Sequence, residues 1–376
     1  MGRSPVNAGV EEMTIRRALR SIMLSAAFLS SPAIAQEFKV GAVLPLTGGA
    51  AAYGEWMGNG LKIAEDEINK KWGSSRKLTV IIEDSKSNPK DAVTAMNKLL
   101  SADKVQAVMT TLSGVTNALA PIATQNKIIL TTSATLPGIT DQSEYLFRNA
   151  TNLSSEIKRL VEFTSGKYKR AAVLWANLEF AKWGKEAFSE GFKKSGGAIV
   201  EDQSFPSDAT DVRAQLTKIR AANPDVMLVL AYKTGGVALK QARELGIKAQ
   251  FVGTLDFELP EVVEIAKDAA DGSIYTKASF DPENPSSAAM KAFTAEYKKR
   301  FGQTPEVYSA TQYDMLHLLA DGFAASRDAD GVRKYLLEVK NYPGASGETT
   351  FLPNRDVDKP VELKIIKAGK YESYKP

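Results

Sequence analysis

The sequence contains no cysteine and one histidine. The lack of cysteine excludes a disulfide framework, a thiol nucleophile and a cysteine-ligated metal site. The single histidine, His317, lies within an apolar helical pattern, where packing is a more common role than metal binding or catalysis. Because thiol and imidazole groups carry much of enzyme chemistry, their scarcity favours a binding function over a catalytic one, with no metal and no cofactor.

An excess of charge of one sign is also missing. Lys and Arg number 48 and Asp and Glu 44, which gives a net charge of +4 and no argument for a nucleic-acid partner. With 376 residues, 44% of them hydrophobic, the chain has an ordinary globular composition and enough length for two domains with cores of their own.

The N-terminal segment has an apolar run that is too short to span a bilayer, but it has the parts of a secretion signal. Arg16, Arg17 and Arg20 precede an apolar stretch at 21–30, and Ala33-Ile34-Ala35 forms a small-x-small cleavage site. We therefore predict a signal peptide over residues 1–35 and export by the general secretion route. No cysteine follows the cleavage site, so we expect no lipid anchor.

Apolar runs typical of buried parallel strands alternate with helical patterns, and the alternation restarts after residue 152. The first unit has predicted strands at 38–44, 78–82, 107–112, 128–132 and 145–148. The second has them at 170–175, 226–230, 250–253 and 273–276. A polar, proline-rich segment at 281–285 precedes three helical patterns and two final strands, at 347–351 and 361–367. This order indicates an α/β fold with two units.

A small hydroxyl-bearing turn, Ser113-Gly114, joins the strand predicted at 107–112 to a helical pattern. A helix N-terminus offers free backbone N–H groups and a partial positive charge, which suit a carboxylate. In open α/β sheets, ligands bind beyond the carboxyl ends of the strands. The loops expected there, at 46–53, 112–114, 133–136, 176–182, 231–235 and 254–257, are rich in Thr, Ser, Gly and aromatic residues.

Familiar catalytic and nucleotide-binding motifs are absent from the sequence. It has no P-loop, no dinucleotide-binding glycine motif after a strand, no Gly-x-Ser-x-Gly and no His-Glu-x-x-His. An exported hydrolase that uses Asp and Glu alone, as glycosidases do, stays open as an alternative.

Ordered motifs run along the chain from the predicted cleavage site onward. They are Val-Gly-Ala-Val-Leu-Pro-Leu-Thr-Gly at 40–48, Ala-Tyr-Gly at 52–54, Asp-Ser-Lys-Ser-Asn-Pro at 84–89, Ser-Gly-x-Thr at 113–116, Ser-Ala-Thr at 133–135, Trp-Gly at 183–184, Lys-Gln-Ala-Arg-Glu-Leu-Gly at 240–246 and Tyr-x-Ala-x-x-Tyr-Asp at 308–314. Together they resemble the periplasmic solute-binding proteins of ABC importers, and most closely the leucine/isoleucine/valine-binding, or hydrophobic amino acid uptake, family.

The resemblance implies a type I periplasmic-binding fold, in which two doubly wound α/β lobes are joined by three crossovers and hold the ligand between them. With crossovers expected near residues 152, 282 and 342, the amino-terminal lobe comprises 36–152 and 283–342. The carboxyl-terminal lobe then comprises 153–282 and 343–376. The partners implied are a small-molecule ligand and an ABC permease in the inner membrane, and we expect the receptor to be a monomer.

The resemblance also implies the ligand site. Turns that hold a ligand carboxylate, the second of which also contacts the amino group, map to Ser113, Gly114, Ser133, Ala134 and Thr135. Aromatic walls of the pocket map to Tyr53 in the amino lobe and to Trp183 and Tyr232 in the carboxyl lobe. For each aromatic residue, plain packing is the alternative.

The sequence departs from this family at the acid that binds the ligand's amino group. Relatives often carry Glu after the strand that matches 251–253, whereas this chain has Thr254-Leu255-Asp256-Phe257. If Asp256 faces the ligand, it partners the ammonium. If Leu255 holds that position, the partner is lost, and burial of an unpaired ammonium is unfavourable.

Two ligand classes therefore stay open. A branched-chain or other hydrophobic amino acid is the first choice, and an aromatic or short aliphatic carboxylate is the second. A receptor that presents its ligand to a sensor, instead of to an importer, is a further alternative.

Overall fold

The computed structural model describes residues 36–375, together with Met1. The predicted signal peptide and its cleavage site lie outside the described residues. Within 36–375, no cluster of His, Cys, Asp or Glu side chains suits a metal ion, and no helix has the length and apolar character needed to cross a membrane.

Five strands form the first sheet, and three helices connect or cover them. The strands are β1 (Gln36–Leu44), β2 (Arg76–Asp84), β3 (Ala107–Thr110), β4 (Ile129–Thr132) and β5 (Leu146–Arg148). The helices are α1 (Ala51–Trp72), α2 (Pro89–Lys98) and α3 (Ser113–Asn126). All five strands are parallel and lie in the order β2-β1-β3-β4-β5. Asn88 caps α2 by accepting a hydrogen bond from the Lys90 amide at 2.8 Å, and proline follows at the first helical position.

The remaining strands are β6 (Arg170–Ala176), β7 (Ala198–Phe205), β8 (Val226–Leu230), β9 (Gln250–Gly253), β10 (Ile274–Ala278), β11 (Tyr342–Gly344), β12 (Gly347–Thr349), β13 (Val361–Lys367) and β14 (Lys370–Ser373). The second sheet has seven strands in the order β14-β13-β10-β9-β8-β6-β7, and β11 pairs with β12 in a small hairpin. Strands β6 to β10 are parallel, and β13 and β14 run antiparallel at one edge.

The helices after the first sheet are α4 (Leu153–Thr164), α5 (Glu179–Lys194), α6 (Arg213–Ala222), α7 (Thr234–Glu244), α8 (Pro260–Ala266), α9 (Ala288–Phe301), α10 (Val307–Ala325) and α11 (Ala329–Glu338). Sequence patterns did not identify β7, α6 or β14. The sequence of β7, AIVEDQSF, is polar and mostly solvent-accessible, because this strand is an edge of its sheet and needs no continuous apolar run.

Helix α10 packs on α1 and so belongs with the first sheet. A Cβ atom on Gly60 of α1 would lie 2.2 Å from the carbonyl oxygen of Ser309, and one on Gly54 would lie 2.3 Å from that of Pro45. Only glycine permits these approaches. They fix α1 between α10 and the loop after β1, and they place Tyr53, in the first turn of α1, at the edge of the first sheet.

The chain crosses between the two sheets three times. The chain leaves the first sheet between β5 and α4 and returns to it between β10 and α9. The third crossover was expected near Tyr342, with 343–376 in the carboxyl lobe. However, the amides of Ala345 and Ser346 donate to the Asp314 carboxylate at 2.7 and 2.8 Å, and Asp356 pairs with the fully buried Arg148 of β5. Residues 343–356 therefore pack on the amino lobe, and the chain crosses over just before β13.

Candidate functional site

A small cavity of about 30 Å³ lies between the two lobes, at the carboxyl ends of strands from both sheets. The amino lobe lines it with Tyr53, Thr111, Leu112, Ser113, Ser133, Ala134, Thr135 and Tyr308. The carboxyl lobe lines it with Leu153, Glu156, Phe180, Tyr232, Thr254, Leu255 and Asp256. This is the position at which open α/β sheets bind ligands.

The first wall of the cavity is the start of α3. Leu112 has a φ of 63° and a ψ of 128°, a conformation that is unfavourable by about 1–3 kcal/mol for a residue with a side chain. No side chain caps the helix at this residue. Because Leu112 and Ser113 line the cavity, the unpaired N–H groups of the first turn and the Ser113 hydroxyl lie at it. This strained turn therefore presents hydrogen-bond donors that suit an anion.

The second wall is the turn after β4, which buried hydroxyl groups hold in place. The Ala134 amide donates to Thr132 Oγ1 at 3.0 Å, and Thr132 Oγ1 lies 2.8 Å from Thr116 Oγ1 on α3. The Arg148 guanidinium donates to the Leu136 carbonyl oxygen at 2.7 Å. The predicted carboxylate-binding turns, at Ser113 and at 133–135, are thus neighbours on one side of the cavity.

Aromatic rings from both lobes form the side walls. Tyr53 and Tyr308 of the amino lobe meet edge to face, with centroids 4.9 Å apart. Tyr232 and Phe180 of the carboxyl lobe stack with centroids 5.0 Å apart. Tyr53 also meets Tyr232 at 6.2 Å across the cleft. These rings give the cavity an apolar lining that suits a hydrocarbon side chain.

The third wall is the loop after β9, in which both Leu255 and Asp256 line the cavity. The Asp256 carboxylate accepts hydrogen bonds from the Tyr53 and Thr254 hydroxyls, each at 2.7 Å. Burial raises the pKa of Asp256 to about 6, although both hydrogen bonds oppose the rise. An acidic group of the carboxyl lobe therefore lies at the same cavity as the turns that are predicted to bind a carboxylate.

A second carboxyl group at the cavity, Glu156, was missed from the sequence. It is 3% exposed, and burial, reinforced by the charge of Asp256, raises the pKa of Glu156 well above its ordinary value. A signal was present in the sequence: Leu153, Glu156, Ile157 and Leu160 share the buried stripe of α4, with the i, i+3, i+4, i+7 spacing. Because burial of an acidic group is unfavourable, an acidic residue at a buried position of a helix indicates a role other than packing.

The structure does not bring Trp183 or Gly114 into the cavity lining. Trp183 is half-buried and packs on the core of the carboxyl lobe, whereas Phe180, one turn nearer to the start of α5, lines the cavity. Gly114 lies where α3 approaches α5, and a Cβ there would lie 3.9 Å from the Glu179 carboxyl carbon. His317 meets Tyr313 edge to face, with ring centroids 4.6 Å apart, and does not line the cavity, in keeping with the predicted packing role.

Several contacts cross between the lobes, so the cleft is closed in this structure. Besides the Tyr53–Asp256 hydrogen bond, the Asn117 amide of α3 donates to Glu179 of α5. The ammonium of Lys277 on β10 lies 2.8 Å from Glu258 and 3.5 Å from Glu306, the residue before α10. Burial and the neighbouring Glu258 raise the pKa of Glu306 to about 8.

Comparison with known proteins identifies similar chains that cover almost the whole length. A family model described as periplasmic binding protein matches residues 37–364. The Leu/Ile/Val-binding protein BraC3 of Rhizobium johnstonii is 29% identical over 353 residues, which cover 90% of this chain and 93% of that protein.

Two solved structures of different ligand complexes are also similar. The branched-chain amino acid transporter substrate-binding protein LivJ of Streptococcus pneumoniae, in complex with isoleucine, is 29% identical with a TM-score of 0.83, over 91% of this chain and 100% of that one. A solute-binding protein of an ABC transporter from Rhodopseudomonas palustris, in complex with 3,4-dihydroxybenzoic acid, is 26% identical with a TM-score of 0.78, over 90% and 96%.

Proposed function

The chain belongs to the periplasmic binding protein family, and we propose that it is the solute receptor of an ABC importer for a hydrophobic α-amino acid. Proteins of this family are solute receptors and not enzymes, so the predictions of a two-lobe type I fold and of a non-catalytic role are confirmed. We place the receptor in the periplasm, to which the predicted signal peptide would export it. Branched-chain amino acids are the first candidates for its ligand.

One arrangement carries this proposal: donors and an acid lie on opposite sides of one cavity. The Ser113 turn and the turn at 133–135 offer hydroxyl and N–H groups from the amino lobe. Asp256 offers a carboxylate from the carboxyl lobe. The carboxylate and the ammonium group of an α-amino acid match these two sides in charge and hydrogen bonding, and the aromatic rings suit an apolar side chain.

This arrangement also explains how binding would close the receptor. A ligand carboxylate held by the amino lobe and a ligand ammonium held by the carboxyl lobe join the two lobes through one small molecule. Such a ligand binds the closed form better than the open form, which is the condition for a hinge-bending shift. The closed form would then deliver the solute to a membrane permease.

An aromatic carboxylate is the second candidate. The aromatic rings around the cavity favour it, and one of the similar structures holds 3,4-dihydroxybenzoic acid. This ligand would use the carboxylate-binding turns but would leave Asp256 without a cation, which favours the amino acid.

A ligand screen tests the proposal. Protein that has been unfolded, dialysed and refolded to remove bound ligand would be screened by thermal shift, and hits would be titrated by calorimetry. We expect leucine, isoleucine or valine to raise the melting temperature and to bind stoichiometrically, and to be recovered unchanged. Tight binding of benzoate-type acids without a response to these amino acids would contradict the proposal. Solute uptake that is unchanged after deletion of the gene would favour a sensory role.

A further inference from the structure

Two acidic side chains face the cavity, and both belong to the carboxyl lobe. Asp256 follows β9 and is 8% exposed, and Glu156 lies in the first turn of α4 and is 3% exposed. None of the described residues that line the cavity is Lys, Arg or His. A buried carboxylate without a cation is unfavourable, so the second acid calls for an explanation that Asp256 alone does not provide.

We propose that Glu156 is a second carboxyl partner of the ligand's ammonium group, so that the receptor holds a primary amine between Glu156 and Asp256. The inference rests on the proposed function, because it presupposes an α-amino acid ligand. An ammonium group has three N–H donors, enough for one hydrogen bond to each carboxylate and a third to a hydroxyl or carbonyl oxygen of the cavity wall.

The contacts of Glu156 do not account for its burial. Its one hydrogen bond among the described residues comes from the Thr276 hydroxyl at 3.4 Å, whereas Asp256 accepts two at 2.7 Å. A buried carboxyl group with one long hydrogen bond destabilises the folded protein. The residue therefore weakens the fold without giving it a compensating contact, as is common for residues that serve a ligand.

Among residues 36–375, no cation takes the role of this partner. Lys359 lines a smaller neighbouring cavity together with Glu156, but its ammonium group donates to the hydroxyls of Ser346 and Thr349 at 3.1 and 3.2 Å. Burial lowers the pKa of Lys359 to about 8. The other titratable groups whose charges act on Glu156 or feel its charge are Asp256 and Tyr308, and neither is a cation.

The protonation state of the Glu156 carboxyl group allows the proposal to be measured. Burial and the charge of Asp256 raise the pKa of Glu156 well above its ordinary value, so in the closed cleft Glu156 keeps its proton to a higher pH than an exposed glutamate does. An ammonium group placed beside it favours the ionised form. Binding would then convert the carboxylic acid to a carboxylate and release its proton to the buffer. Affinity for an amino acid should accordingly rise with pH until Glu156 is ionised in the free protein.

Isothermal calorimetry with L-leucine tests the proposal. Titrations at pH 7.5 in two buffers of different ionisation enthalpy give the number of protons released. For the wild type we expect a net release of protons on binding, and for Glu156→Gln we expect a release near zero and an affinity about 10- to 100-fold weaker. Glu65→Gln is the matched control. Glu65 is half-buried on α1, and burial raises the pKa of its carboxyl group too. It lies away from the cavity and accepts a hydrogen bond from the Val80 amide.

The outcomes separate this inference from the proposed function. Glu156→Gln protein that binds leucine with wild-type affinity and wild-type proton release would overturn the inference alone. Wild-type protein that binds none of the hydrophobic amino acids would overturn the proposed function and the inference with it. If Glu156→Gln does not fold, Glu156→Asp keeps the carboxyl group but withdraws it by one methylene. We then expect weaker binding with proton release retained, and unchanged affinity would count against the inference.

Discussion

Replacing Asp256 by asparagine is expected to stabilise the closed form of the ligand-free protein and to weaken its binding of an amino acid. The carboxyl group is 8% exposed, and its pKa is raised from 3.8 to about 6 because burial outweighs its hydrogen bonds to Tyr53 and Thr254. A raised carboxyl pKa means that the folded state holds this proton more tightly than the unfolded state does. Stability is therefore greatest below pH 4 and falls as the pH rises through 6.

The difference between 3.8 and about 6 corresponds to a loss of about 3 kcal/mol at pH 8. Asparagine does not ionise, so the variant avoids this loss. It forms weaker hydrogen bonds with the two hydroxyls, which removes about 1 kcal/mol of the gain. The net expectation is an increase of about 2 kcal/mol in the free energy of unfolding at pH 8, shrinking to near zero or below at pH 4.

Urea unfolding of dialysed wild-type and Asp256→Asn protein, followed by circular dichroism at pH 4 and pH 8, measures this difference. Calorimetry on the same samples should show affinity for leucine reduced by about 100-fold or more, because the ammonium loses a charged partner. A variant that is less stable than the wild type at pH 8, or a stability difference that does not change with pH, would show that burial of the ionised Asp256 carboxylate does not destabilise the protein.

Two further substitutions probe the amino lobe. Ser113→Ala should weaken binding of any carboxylate ligand by about 1–2 kcal/mol, measured by calorimetry, with an unchanged melting temperature for the free protein; equal affinity would remove Ser113 from the site. Arg148→Met should lower the free energy of unfolding by about 3–5 kcal/mol, because it leaves the buried Asp356 unpaired. The double variant Arg148→Met with Asp356→Leu should recover part of that loss in urea unfolding, and no recovery would argue against the ion pair as the cause.

Local patterns were sufficient for most of the fold. The apolar runs of β1, β3 and β8 are continuous because these strands are covered on both faces, and the cap at Asn88 uses only neighbouring atoms. The turn at Ser113 was recognisable for the same reason. The α/β class therefore followed from the sequence.

Features that depend on residues far apart in the chain could not be predicted from the sequence. Arg148 and Asp356 are separated by 208 positions, and no local pattern shows that they pair and hold residues 343–356 on the amino lobe. The choice between Phe180 and Trp183 depends on where α5 begins, and a shift of one turn changes which ring faces the cleft. Glu156 is the instructive case, since its place on an apolar stripe of α4 was visible in the sequence, but its proximity to Asp256, from a distant part of the chain, was not.

The central claim is that the amino lobe holds a ligand carboxylate while the carboxyl lobe holds a ligand ammonium. The most direct measurement is a calorimetric comparison of L-leucine with 4-methylpentanoate, which lacks only the amino group, and with 3-methylbutylamine, which lacks only the carboxylate. We expect leucine to bind and each truncated analogue to bind at least about 100-fold more weakly. Each analogue leaves the buried polar groups of one lobe without a partner. If 4-methylpentanoate binds as tightly as leucine, Asp256 does not partner an ammonium group, and the ligand is a simple carboxylate.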